Sequence, residues 1–536
     1  MDDLKDTPYD YVIVGAGAAG SPLAERLSAD PSRTVLLLEA GPPDTDPAIR
    51  VPAAYLSLFG GAVDWARRTV PQPRLGGRRI YWPHGRTLGG SSSVNAMMWV
   101  RGFGGDYDEW ERLAGPGWGR RAVMRWFETL EDRETTLTAG RTSGGPLPVR
   151  LQRDPNPLTA DFLAACRQAG LDEVTADGHA TAERGGMTLV TQRDGSRFSA
   201  ADAFLRPAAD RPNLTIRTGA AARRVLFAGR RATGVEYLHE GRLAVATARA
   251  EVVLCGGAVN TPHLLKLSGV GPAAELRRFG IPVVADHPEV GRNLADHLVT
   301  MRVLEAREPI TLFDAASPRE LIRYRRHRRG KLTSNLGEAY TFTRSDPALP
   351  LPDLELLFAP GPYLDEGLTL GDRHAFSVGA VLLQPHSRGE VTLASPDPAD
   401  APLVDPRYLS DAAGADLAAL RAGAAWARKV LEAPALARHV AGSLQPAGDA
   451  ADDLAAVVEQ CSHSLYHPVA TCRMGRDAAS VVDPELRVRG LAGLRVADAS
   501  VIPHLIRGHT YAPSLVVGLR AAELLAQERA PAPVAG

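Results

Sequence analysis

Residues 11–20, YVIVGAGAAG, run from an apolar segment straight into a glycine turn, and LLLEAG follows at 36–41. Together they read as a strand, a phosphate-cradling turn, a helix and a second strand. Gly15 permits the tight turn, Gly17 lets the backbone approach a pyrophosphate, and Gly20 lets the helix close onto the sheet. The helix N-terminus then offers unpaired N–H groups to an anion. Glu39 falls 19 residues beyond Gly20, where a carboxylate accepts from ribose hydroxyls and repels a 2′-phosphate. This predicts FAD or NAD rather than NADP. Pro22 removes a backbone donor early in the helix and is expected to disturb its geometry while leaving the turn intact.

The 536 residues are 45% hydrophobic and 23% charged with a formal net charge of -1, a globular composition that asks for no nucleic acid. The opening MDDLKDTPYD is acidic and lacks the apolar stretch of a secretory signal. No apolar run approaches the ~20 residues of a membrane helix. Cys166, Cys255, Cys461 and Cys472 are too few and scattered for a disulfide framework. A cytoplasmic protein without an integral membrane segment or a metal is expected. The basic run 319–331, RELIRYRRHRRGK, reads as a solvated helix face before a stop at Gly330, with contact to anionic lipid or an acidic partner as the alternative.

Strand character recurs at Leu214–Arg217, across Val225–Leu238 and at Glu251–Cys255, and the pattern changes to longer mixed elements from about Glu305. Alternation at Phe376–Leu383 and an amphipathic helix at Asp416–Leu431 suggest a second domain. A short strand at Leu494–Ala497 and a helix from Pro513 to Gln527, with proline as its first residue, close the chain before a Pro- and Ala-rich tail that should fray. The division expected is 1–304 for nucleotide binding, 305–460 for substrate, 461–528 returning to the first domain, and 529–536 as tail.

Three further segments are distinctive: GRTLGGSSSVNAMMWVRG at 85–102, GAVNTPHLLKLSGVG at 257–271, and the pair HPVATCRMG at 467–475 and GLRVADAS at 493–500. With Gly15, Gly17, Gly20 and Glu39 they resemble the glucose–methanol–choline oxidoreductases, and the landmarks run from Tyr11 to about Leu525. The resemblance implies an α/β fold: a Rossmann-type FAD domain with a discontinuous α+β substrate domain and the flavin ring at their junction. It implies that Gly15, Gly17, Ala18, Ala19 and Gly20 meet the pyrophosphate, Glu39 and Ala40 the adenosine ribose, and Ala222 the adenine. Arg86, Leu88 and the stretch Gly89, Gly90, Ser91 to Asn95, with Ala96, Met97 and Met98, would follow the cofactor toward the flavin. Gly257, Asp498, Ala499, His509 and Thr510 complete the implied contacts. Asp498 also reads as a turn former, and Asn95 equally as a turn-stabilising amide. Some relatives tether FAD through a histidine where this chain has Val94, so FAD is expected to be held non-covalently.

Alcohol oxidation needs a base beside a hydride acceptor, and imidazole, with an ordinary pKa of ~6.5, suits that task. The resemblance assigns the base to His467 and the companion role to His509, 42 residues later in RGHTYAPS, whose TYAPS departs from the commoner TNAPT. His509 would hydrogen-bond the substrate oxygen, and the helix from Pro513 would aim its dipole at the flavin. His463 reads as structural. The expected substrate is a small primary or aromatic alcohol, and the expected electron acceptor is O2, a quinone or an artificial acceptor. A non-redox lyase of the same family is the alternative, because it too would use a histidine base.

Overall fold

The computed structural model describes residues 8–133, 144–171 and 184–527, so the tail at 529–536 lies outside the described residues. Tyr9–Val14 runs parallel to Val35–Leu38 on one side and to Arg242–Leu254 on the other. All four residues of Val35–Leu38 are buried, as a continuous apolar run in a doubly covered parallel sheet demands. The strand order is Leu214–Arg217, Val35–Leu38, Tyr9–Val14, Arg242–Leu254, Arg231–His239 and Ala220–Ala228, and Leu494–Val496 pairs with the end of Arg242–Leu254. The region expected as one stretch at 225–238 is therefore two antiparallel strands. Gly229, at φ 58°, supplies the left-handed turn between them.

Helix Gly20–Ser28 continues through Pro22 undisturbed. Pro22 is its third residue, where a backbone N–H has no intrahelical partner to lose. The last helix, Tyr511–Gln527, lies against it so closely that a Cβ on Gly518 would sit 2.1 Å from the Ala19 carbonyl oxygen. That helix starts two residues before Pro513, so the proline is third rather than first; it occupies the same donor-free turn.

The second sheet is antiparallel, ordered Val440–Gln445, Leu298–Ala306, Ala375–Leu382, Leu354–Ala359, Ala339–Thr343 and Gly186–Met187. Ser462–Ser464 also pairs with Leu298–Ala306. The expected boundary at 304/305 falls inside that strand, and Ser462–Ser464, just past the return expected at 461, still pairs with it. The cause is that LVTMRVL at 298–304 is buried throughout and pairs with Ala375–Leu382 in the second sheet. Helix Ala415–Glu432 covers this sheet, its Gly423 backed against Ala380 and Leu354. Among the described residues no helix is long and apolar enough to cross a membrane.

Candidate active site

The glycines of the first turn divide into two kinds. A Cβ on Gly15 would lie 2.4 Å from the Cys255 carbonyl oxygen, and one on Gly20 would lie 1.9 Å from that of Gly15, so both are required by chain packing. A Cβ on Gly17 would meet only the Gly90 Cα at 3.9 Å, and one on Gly257, at φ 83°, would meet nothing within 4 Å. Gly17 faces open space just before the helix that starts at Gly20, and Gly257 faces open space at the start of a second helix, Gly257–Leu267. Glu39 is buried at the end of its strand, with Oε2 accepting from the Ala16 N–H at 3.0 Å and Oε1 from the Gly41 N–H at 2.9 Å. Burial raises its pKa to about 7 despite those bonds. Ala220 N–H donates to the Glu39 carbonyl, which brings Ala222 and the strand Ala220–Ala228 alongside.

Residues 85–98 fold as a backbone-rich loop over this space. Gly90, at φ 53°, approaches Gly17 so closely that a Cβ would come within 2.7 Å of the Gly17 Cα. Gly89 N–H donates to the Ala16 carbonyl, and Val94 is buried against Ile49, Leu58 and Val63. The Asn95 amide oxygen accepts from the Met97 N–H at 2.9 Å and from Arg197 Nη1 at 2.8 Å, so the turn-stabilising role of Asn95 is plain. Met97 holds a left-handed φ of 55°, and the Ala96 carbonyl accepts from Asn335. Arg86 lies over the Trp65 ring, while the Ser93 hydroxyl fixes the Leu88 carbonyl. Arg197, fully buried, and Arg86 each keep one guanidinium N–H without a partner, Nη2 and Nε respectively. Open glycine backbone, two unsatisfied cationic donors and a helix N-terminus fit the diphosphate and ring of a dinucleotide.

The Asp498 carboxylate accepts from the Gly257 N–H, the Thr261 hydroxyl and the Ser500 N–H, capping the short helix that begins at Ala499. Its structural role is thereby filled by the chain itself. Thr510 lies at the N-terminus of the last helix, next to His509.

The two histidines 42 residues apart are brought together, with ring centroids 4.7 Å apart. His467 sits in a loop where Tyr466 and Ala470 both take left-handed φ values, 67° and 72°, a strained conformation that only surrounding contacts can hold. Those contacts come from two consecutive residues the sequence reading passed over. Asp296 Oδ1 accepts from the His467 N–H at 2.8 Å, and His297 Nδ1 lies 2.9 Å from His467 Nδ1. The other oxygen of Asp296 accepts from Ser464 and Tyr408; burial still raises its pKa to about 6. The only available signal was an Asp-His pair immediately before an apolar strand.

This chain of contacts assigns a tautomer. His297 Nε2 lies 3.0 Å from the Leu383 carbonyl, which can only accept, so Nε2 carries hydrogen. Burial lowers the His297 pKa to about 3, so the ring is neutral and its Nδ1 is an acceptor. His467, pushed well below its ordinary value by burial and then by His509 and His297, is neutral too and donates from Nδ1. Its Nε2 therefore holds a lone pair. His509 differs: its Nε2 is 3.2 Å from Oε1 of Glu355, a carboxylate with no exposed surface. Glu355 was not foreseen, because it lies in another strand, 154 residues away. His463 is buried, bonds the Ser464 carbonyl through Nδ1 and stacks on Tyr363. Burial lowers its pKa to about 4.

Comparison with known proteins gives one family. The N-terminal model of the GMC oxidoreductases matches residues 9–299 and the C-terminal model residues 385–518. An uncharacterized GMC-type oxidoreductase of Mycobacterium tuberculosis is 51% identical across 97% of this chain and 99% of its own. An alcohol dehydrogenase [acceptor] of Pseudomonas putida is 43% identical across 97% and 96%. The crystal structure of pyridoxine 4-oxidase from Mesorbium loti superposes with a TM-score of 0.87 at 33% identity, covering 97% of this chain and 100% of that one.

Proposed function

The chain belongs to the GMC oxidoreductase family, FAD enzymes acting on CH–OH donors, and from that membership we propose that it oxidises a small primary or aromatic alcohol with His467 as the base. FAD, when bound, supplies the two-electron acceptor that takes hydride from the carbinol carbon. What carries the reading is the His297–His467 contact, which leaves the His467 Nε2 lone pair available to take the hydroxyl proton. A neutral imidazole is the protonation state a base needs.

His509 is the second group toward the substrate oxygen. Glu355 accepts from its Nε2, and its Nδ1 has no partner in the chain among the described residues. Paired with the Glu355 carboxylate as an imidazolium, the ring carries hydrogen on Nδ1 as well, and a hydrogen bond from there to the alcohol oxygen steadies the charge that develops as the proton leaves. The N-terminus of Tyr511–Gln527, directly after His509 and Thr510, adds a dipole of the same sign.

An aromatic or apolar substrate is supported by the neighbourhood of His467. Tyr466 packs with Tyr55, Phe59, Tyr363 and Met98 in one apolar cluster, and Phe59 meets the Tyr466 ring edge-on at 6.1 Å. The names of two relatives, an alcohol dehydrogenase and a pyridoxine 4-oxidase, agree with this choice.

The test is to mix the purified FAD enzyme anaerobically with a series of alcohols and follow flavin bleaching. Reoxidation is then measured with O2 and with an artificial acceptor. Bleaching by benzylic or short primary alcohols is the expected result. Turnover of cyanohydrins without bleaching would replace the proposal with a lyase.

A further inference from the structure

We propose that the helix Pro318–His327 docks the enzyme on an anionic lipid surface. Glu320 and Tyr324 are the residues it buries. At ~100° per residue, Ile322 points to the opposite side, and Arg325 and Arg326 flank it within about 60°. Ile322 is 54% exposed and its neighbour Leu321 is 42% exposed, so the outward face is a strip of arginines with aliphatic side chains among them. Phe313, 42% exposed, precedes the helix by one short turn.

Three of the cations of this basic run are compensated and three are not. Arg323, Arg329 and Lys331 reach Glu320, Asp154 and Asp314. Arg319, Arg325 and Arg326 make no hydrogen bond or ion pair among the described residues. A merely solvated helix face has no need of exposed Ile and Leu between its arginines, whereas an interfacial helix needs both parts. The cations meet anionic headgroups, and the aliphatic groups enter the acyl boundary. An acidic protein surface would satisfy the arginines alone.

The patch is also continuous with the reacting side of the molecule. Leu312 packs beneath the helix with Tyr324 and Leu332, and it packs again in the apolar cluster that holds Met98 and Tyr466. The Tyr324 hydroxyl donates to the Arg50 carbonyl, and Arg197, which fixes Asn95, donates to the adjacent Ile49 carbonyl. This inference does not depend on the redox reading.

The experiment is co-sedimentation of the FAD-loaded enzyme with phosphatidylcholine vesicles, with and without phosphatidylglycerol, at low and high salt. Binding is expected only with phosphatidylglycerol and is expected to weaken with salt. The combined variant Arg319→Gln, Arg325→Gln and Arg326→Gln should lower vesicle affinity about 100-fold, three surface cations' worth. Ile322→Ser should weaken binding while leaving its salt dependence unchanged. Replacing Arg74, Arg230 and Arg242 with Gln should change nothing, and flavin absorbance reports folding in every variant. The proposal fails if the wild type ignores phosphatidylglycerol, if the triple variant binds as the wild type does, or if polyglutamate is bound and vesicles are not.

Discussion

His297 Nδ1 lies 2.9 Å from Nδ1 of His467, and only one of the two nitrogens carries the hydrogen between them. Because the Leu383 carbonyl claims the proton on His297 Nε2, that hydrogen belongs to His467. His297→Leu removes the acceptor and lets the inactive tautomer of His467 form. Flavin reduction should slow by about 10- to 100-fold, the range found when a metal-bound histidine loses the partner that fixes its tautomer. His297→Gln, which can present an amide oxygen, should recover most of the rate. Equal rates in wild type and His297→Leu, measured by anaerobic stopped flow, would remove His297 from the mechanism.

His467→Ala should lower the reduction rate by about 10²–10⁴-fold, the range for losing a positioned base. His509→Asn should cost less, because an amide still donates, although it loses the bond to Glu355. His463→Ala is the control: its ring faces Tyr363 and the Ser464 carbonyl. FAD content should be unchanged in all three. A large loss from His463→Ala alone would transfer the base to that residue.

The pH dependence of kcat/KM follows from the lowered pKa of His467, whose causes are burial first and then the two neighbouring histidines. The base stays unprotonated through the ordinary histidine range, so the acid limb should lie below pH ~6.5. A limb centred at that value would mean that the working base is a solvated histidine.

Stability should show the same groups. His297 and His463 titrate near about 3 and about 4 in the folded chain, against ~6.5 when unfolded. Their depressed values mean that the unfolded chain takes up protons first. Stability is complete above pH ~6.5 and falls as pH drops toward the folded values, by about 1.4 kcal/mol per pH unit for each group. His463→Phe keeps the ring against Tyr363 and abolishes one uptake, so its stability should fall less steeply between pH 6.5 and about 4. Urea unfolding at stepped pH measures the two slopes; parallel curves would contradict the assignment.

Glu39→Ala should weaken FAD binding by about 1.5–3 kcal/mol, the worth of a hydrogen bond to a charged group. It should also destabilise the free protein, since the Ala16 and Gly41 N–H groups lose their acceptor. Glu39→Gln restores one acceptor oxygen, so the two effects separate in the FAD dissociation constant and the melting temperature of the cofactor-free chain. An unchanged dissociation constant in both variants would place the ribose elsewhere.

The nucleotide-binding frame and the candidate histidines are legible in local sequence. YVIVGAGAAG with LLLEAG constrains strand, turn and helix locally, because glycine is forced wherever the next backbone comes within van der Waals contact, as at Gly15 and Gly20. His467 and His509 were legible because each sits in a short motif. How those histidines are held depends on long-range packing. Asp296, His297 and Glu355 reach them from strands of the second sheet or the turn leading into it, at separations of 154 to 171 residues, and no local pattern encodes such a contact. The boundary expected at 304/305 lands inside the strand Leu298–Ala306 for a related reason. A strand buried on both faces reads as apolar whichever core it joins, and pairing with Ala375–Leu382 put Leu298–Ala306 in the second. Likewise, the charge of 319–331 was visible in the sequence, but burial of Glu320 and Tyr324 decided that Ile322 and Leu321 face outward among the arginines.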